Sequence, residues 1–168
     1  LDVEAIRRRR LKVVVDACAG AGARLASAFL EALGCRVTAL NDEPDGEFPH
    51  SPEPRVQNMR GLASVVRSVG ADLGFLLNAD VDRVGLTGPA GEALSEEFVY
   101  PILADYLLGT TRGSVVSTLS TSRMVDAVAA RHGRALFRSC IGEGYVIEKV
   151  LLEKAAIGGE GSGGVVLP

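Results

Sequence analysis

This chain of 168 residues has no tryptophan, two methionines and two histidines, and aromatic residues make up 5% of it. A core built on stacked rings is excluded. Its 47% apolar content rests on Ala, Val and Leu, the mix of α/β layers packed from small side chains. Cysteine is sparse. Cys18, Cys35 and Cys140 are odd in number, far apart, and form no C-x-x-C pair. That argues against a disulfide scaffold or zinc ribbon and fits reduced thiols in a cytoplasmic setting. Excess charge is absent too: 18 basic against 21 acidic residues leave a net charge of −3. Nothing here calls for nucleic-acid or anionic-membrane binding. No apolar run is long enough to span a bilayer, and no signal-peptide pattern is present.

What is present is alternation. Leu11–Val15 reads as a strand, Arg24–Leu33 as a helix stopped by Gly34, and Arg36–Leu40 as a second strand. A loop at Asn41–Pro54 leads to a helix over Val56–Val69 and strands at Leu73–Leu77 and Val84–Thr87. Gly88-Pro89-Ala90-Gly91 is a turn signal, so the fourth strand is expected to enter a hairpin. The pattern then restarts. A helix capped by Ser95 runs to about Leu108, followed by a strand at Ser114–Ser117, a helix at Thr121–His132 and a short strand at Ala135–Phe137. A helix over Gly142–Lys154 and a strand at Ala156–Ile157 complete it. We expect two consecutive α/β units with mainly parallel sheets flanked by helices. The expected divisions are a linker over 1–10, a first domain over 11–92 and a second over 93–168, with the break near Ala93. The absent initiator Met and the end just after a Gly-rich loop suggest a piece of a longer chain.

The most informative stretch is Asn78-Ala79-Asp80-Val81-Asp82-Arg83, between the third and fourth strands. In an extended loop, alternation would carry Asn78, Asp80 and Asp82 to one side, where their oxygens suit Mg²⁺. Arg83 adds a fork that matches a phosphate. An EF-hand starting at Asn78 would need Gly sixth and Glu twelfth; Arg83 and Pro89 stand there. A haloacid-dehalogenase nucleophile would sit directly at the strand end, where Asn78 and Ala79 intervene. Gly20-Ala21-Gly22 follows the first strand, but Leu25 occupies the third glycine position of G-x-G-x-x-G, so a dinucleotide site is not expected. Four prolines stiffen 44–54, read as a rigid structural loop with a structural His50. Gly158–Gly164 is the second strong signal. Its glycines permit close approach of backbone to a ligand, and Glu160 and Ser162 match sugar hydroxyls.

Taken in order, these segments resemble the α-D-phosphohexomutase superfamily of phosphomannomutases, phosphoglucomutases and phosphoglucosamine mutases. The matching residues are Val13–Asp16, Asp45–His50 with Glu53-Pro54, Asp80–Arg83, Ser117-Thr118, Arg123-Met124, Ile141-Gly142 and Glu160–Gly163. The chain resembles the second domain and most of the third of four. The resemblance implies a Mg²⁺ loop at Asn78, Asp80 and Asp82, Arg83 near a phosphoserine, and Glu160 and Ser162 as the sugar-reading pair. It also implies transfer of phosphate between the sixth and first carbons of a hexose. The phosphoserine loop of the T-A-S-H-N-P kind is not in these residues, so no catalytic nucleophile is expected here, and hexose phosphate is the expected partner of the longer parent.

Three departures stand out. Asn78 replaces the first Asp of D-x-D-x-D-R, Gly164 stands where the sugar loop ends in His, and Gly144 stands where a basic residue follows the V-G motif. Mg²⁺ binding is therefore expected to be weak or vestigial. Two functions follow: the middle of a phosphomannomutase/phosphoglucomutase-like enzyme, or a non-catalytic mutase-like domain fused to a sugar nucleotidyltransferase such as a mannose-1-phosphate guanylyltransferase.

Overall fold

The computed structural model describes residues 2–168. They form two compact units, divided between Ser95 and Glu96. In the first, the strands are β1 (Lys12–Asp16), β2 (Arg36–Leu40), β3 (Leu73–Leu77) and β4 (Val84–Thr87), in the spatial order β2-β1-β3-β4. The run Val13–Val15 is β-branched and fully covered, which suits it to the middle of a parallel sheet. It pairs in parallel with β2, Val14 opposite Thr38, and with β3, Val14 opposite Gly74. β4 closes the sheet antiparallel to β3, with Leu77 opposite Val84, so the segment joining them must be a tight turn. Beyond β4 the chain doubles back through Gly88–Gly91, and Thr87 bridges Ala93.

Helices α2 (Leu25–Ala32) and α3 (Arg60–Val69) belong to this unit. α3 seats Leu62, Ala63 and Val66 on a core with Val14, Met59 and Leu76. Gly74 permits this approach, because a Cβ there would stand 2.6 Å from Val66 Cγ2. Gly70 ends α3 in the left-handed region, φ 62°. The segment expected as a linker folds instead as α1 (Val3–Arg9). Asp2 accepts the Ala5 N–H at 2.9 Å as an N-cap, and the Arg7 guanidinium donates to the Ala32 carbonyl. Arg7–Arg9 are thus good helix formers, and Arg7 is their anchor.

The second unit repeats the plan. Its strands are β5 (Val115–Thr118), β6 (Leu136–Ser139), β7 (Ile157–Gly159) and β8 (Val165–Val166), in the order β6-β5-β7-β8. β5 pairs in parallel with β6 and β7, and β8 runs antiparallel to β7. Helices α4 (Val99–Leu108) and α5 (Met124–Arg131) cover one face, where Tyr100, Ala104, Leu108, Val125 and Ala129 meet Val115 and Ile157. α6 (Glu143–Leu152) covers the other, with Val146 and Val150 against Val116. α4 starts later than the expected Ser95 cap. A 3₁₀ turn over Glu96–Phe98 precedes it, and Pro101, which lacks an N–H, falls in its first turn. The expected fold class is therefore observed, with one antiparallel strand added to each parallel sheet.

Candidate functional site

The acidic segment leaves β3 at Leu77 and re-enters the sheet at Val84. The two strands are antiparallel neighbours, so 78–83 cannot run extended. It closes as a turn, with Val81 N donating to the Asn78 carbonyl at 3.3 Å and Val81 at φ 63°. This corrects the expected route to convergence: the side chains meet because the turn wraps around Asn78, not because an extended loop alternates. Asn78 is 2% exposed. Its Oδ1 accepts the Arg83 backbone N–H at 2.9 Å. Its Nδ2 donates to Asp80 Oδ1 at 2.7 Å and, in a shorter contact, to Asp82 Oδ1. The Asn78 amide holds the Asp82 carboxyl below its ordinary range; partial burial opposes this, and Arg83 reinforces it.

Arg83 sits among carboxylates. Its guanidinium donates to Glu53 at 2.7 and 3.3 Å and to Asp82 at 3.3 Å. Burial works against its charge, but Asp82 and Glu53 outweigh that and hold it protonated. Glu53 was legible in the sequence only as part of the Glu53-Pro54 match; its partnership with Arg83 was not. The proline loop that carries it is tied down at its middle. His50 Nε2 meets Asp16 Oδ2 at 3.0 Å, at the end of β1. The same buried carboxylate accepts the Cys18 N–H at 3.0 Å and the Asn41 amide at 2.9 Å. Cys18 is inaccessible, and burial, with the Asp16 charge second, pushes its thiol up, away from the reactive thiolate.

The glycine turn after β1 packs directly on the acidic turn. Ala21 N donates to the Ala79 carbonyl at 2.8 Å, and a Cβ on Gly20 would lie 2.7 Å from that oxygen. Gly20-Ala21-Gly22 therefore serves close backbone packing.

In the second unit, Gly158 and Gly159 belong to β7, so the expected loop narrows to the tip of the β7–β8 hairpin. Tyr100 stacks so close that a Cβ on Gly159 would be 2.6 Å from its ring. Glu160 N donates to the Gly164 carbonyl at 2.9 Å, and Gly163 N returns to Glu160 at 3.2 Å with φ 90°. Glu160 leans toward the start of α6, where the Gly142 N–H donates to its Oε1 at 3.0 Å. Ser162 is exposed at the tip. Glu97, which the sequence did not single out, braces this corner. Its Oε2 accepts the Ser122 N–H at 2.9 Å, and its carboxylate lies where a Cβ on Gly161 would fall. Space remains at both second-unit departures: a Cβ on Gly144 meets nothing within 4 Å, and one on Gly164 meets Ser162 Oγ at 3.8 Å.

Residues 1–91 match the family model for phosphoglucomutase/phosphomannomutase α/β/α domain II, and residues 96–168 match that for α/β/α domain III. The chain belongs to the phosphoglucomutase/phosphomannomutase family. A phosphoglucomutase/phosphomannomutase of Thermococcus kodakarensis is 37% identical over 100% of this chain and 37% of its own length. A Methanosarcina acetivorans protein classed as a phosphoglucosamine mutase is 35% identical over 97% of this chain and 37% of its own. A phosphomannomutase-type crystal structure from Thermus thermophilus superposes with a TM-score of 0.90 at 28% identity, covering 100% of this chain and 40% of that one. The chain thus spans little more than a third of the relatives it matches.

Mg²⁺ is the cofactor that the resemblance implies for 78–83. The donor set does not fit it as placed. Two carboxylates are present, but the third group turns N–H toward them, and an amide nitrogen repels a cation. No trio of His, Cys, Asp or Glu suited to a metal occurs among the described residues.

Proposed function

We propose that this chain is the middle of a phosphohexomutase-type enzyme that interconverts hexose 6-phosphate and hexose 1-phosphate. Its second unit reads the sugar through Glu160 and Ser162, and its first offers Arg83 to phosphate. The carrying observation is the Glu160 carboxylate. One oxygen is fixed by the Gly142 N–H, and the glycines on either side of Glu160 add no side chain of their own to the turn. A fixed carboxylate in a narrow, glycine-lined turn suits paired sugar hydroxyls. Arg83 has three donor groups committed to carboxylates, which aim the guanidinium and leave N–H groups for an anion. The phosphoserine of the family reaction belongs to a segment outside these residues, so the isolated chain has no turnover in this reading. Free, separated cysteines accord with a cytoplasmic setting, and no helix among the described residues is long and apolar enough to cross a membrane.

The test is Glu160→Ala in the full-length protein. Loss of a charge-assisted hydrogen bond costs about 1.5–3 kcal/mol, or roughly ten- to a hundredfold in hexose-phosphate affinity. Circular dichroism should be unchanged, because Glu160 lies at a hairpin tip. Unaltered affinity would make the turn vestigial. A second reading, a non-catalytic mutase-like module of a sugar nucleotidyltransferase, is favoured by one observation: the Asn78 amide occupies the space between the carboxylates.

A further inference from the structure

Asn78 has almost no freedom left. It is 2% exposed, its oxygen accepts the Arg83 N–H, and its two amide hydrogens serve two different carboxylates. The Arg83 N–H decides the orientation. Turning the amide over would set NH₂ against a backbone donor and its oxygen against Asp80 and Asp82, exchanging three attractive contacts for three repulsive ones. A divalent cation between the two carboxylates would require that rotation and would strip the Arg83 N–H of its acceptor.

From this we infer that Asn78 is a built-in replacement for the divalent cation: its amide N–H groups hold Asp80 and Asp82 together, and the 78–83 turn keeps its closed form without metal. This rests on the family reading only for the expectation of a metal at this turn. An aspartate at position 78 would reverse the logic. One oxygen could still accept the Arg83 N–H, while the other would join Asp80 and Asp82 in a repelling group that closes only around a cation. The tie between Ala21 and the Ala79 carbonyl carries the consequence into the β1–α2 loop, so opening of the turn would lower the stability of the first unit.

The experiment reads metal binding and unfolding, not turnover, so its outcome is separate from that of the mutase reading. Mn²⁺ binding is followed by electron paramagnetic resonance, and thermal unfolding is recorded in EDTA and in 10 mM Mg²⁺, about a large excess over any site worth the name. The unmodified chain should show no saturable Mn²⁺ site and the same Tm in both buffers. Asn78→Asp should have a lower Tm in EDTA, recover it in Mg²⁺, and show a saturable Mn²⁺ site that the unmodified chain does not. Asn78→Ala should lose stability in both buffers and gain nothing from Mg²⁺. Saturable Mn²⁺ binding by the unmodified chain, or a Mg²⁺-dependent rise in its Tm, would overturn the inference. So would an Asn78→Asp variant indifferent to both ions. Should that variant not fold in either buffer, the titration of the unmodified chain decides.

Discussion

Replacing His50 by Ala tests whether the proline loop is an active brace for Arg83. Asp16 is buried, its side chain 5% exposed, and it is held by three donors. His50 supplies one of them at 3.0 Å and is itself 24% exposed at the side chain. A hydrogen bond to a charged group contributes about 1.5–3 kcal/mol. Water can partly replace the partly exposed imidazole, so the lower end, about 1.5 kcal/mol, applies. That loss should be local, because Cys18 N–H and the Asn41 amide still hold the carboxylate. Three residues on, Glu53 loses a fixed base, and Arg83 loses its aim. Hydrogen exchange by mass spectrometry at neutral pH reads this directly. About 1.4 kcal/mol corresponds to tenfold, so peptides over 45–58 and 78–84 should exchange about tenfold faster, with second-unit peptides unchanged. Asn58 and Met59 amides, bonded to Arg55 and Val56 carbonyls, lie within the first peptide or beside it. Unchanged exchange in both peptides would refute the brace, and equal acceleration throughout both units would show a general loss of stability instead.

Gly20→Ala should destabilise the first unit by about 1–3 kcal/mol, since its Cβ would press on the Ala79 backbone; Gly144→Ala, with open space in α6, should gain about 0.5–1 kcal/mol. Thermal unfolding checks both, and equal Tm changes would contradict the packing account. Asp105 should give the second unit an acid-sensitive limb. Arg131, then His132, hold its carboxyl below the usual 3.8. Its folded value is lower than its unfolded one, so its stabilisation is present above the unfolded value and lost as pH falls through the folded one. Asp105→Asn should flatten the stability profile below about pH 4, as followed by urea titration.

Much of the fold was legible because its signals are local. Val13–Val15 marks a buried strand, Gly70 a helix end, and the restart after Ala93 a second unit. Side-chain identity placed Asp80 and Asp82 on one loop and Glu160 and Ser162 on another, without showing that the first closes as a turn. What the sequence hid depends on partners distant in the chain. Val3–Arg9 folds as a helix that is anchored where Arg7 finds the Ala32 carbonyl. The β7–β8 hairpin is closed by a two-residue strand too short to show periodicity. The direction of the Asn78 amide is set by the Arg83 N–H, and Glu53 reaches Arg83 across 30 positions. Composition and spacing carry no trace of either.

The most direct measurement of the central claim is conversion of glucose 1-phosphate or mannose 1-phosphate to the 6-phosphate by the full-length protein, given the hexose bisphosphate activator and followed by ³¹P NMR. The phosphohexomutase reading predicts turnover above a protein-free control, lost in the isolated chain, which lacks the phosphoserine loop. A full-length protein that binds hexose phosphate without converting it would contradict that reading and leave the non-catalytic module in its place.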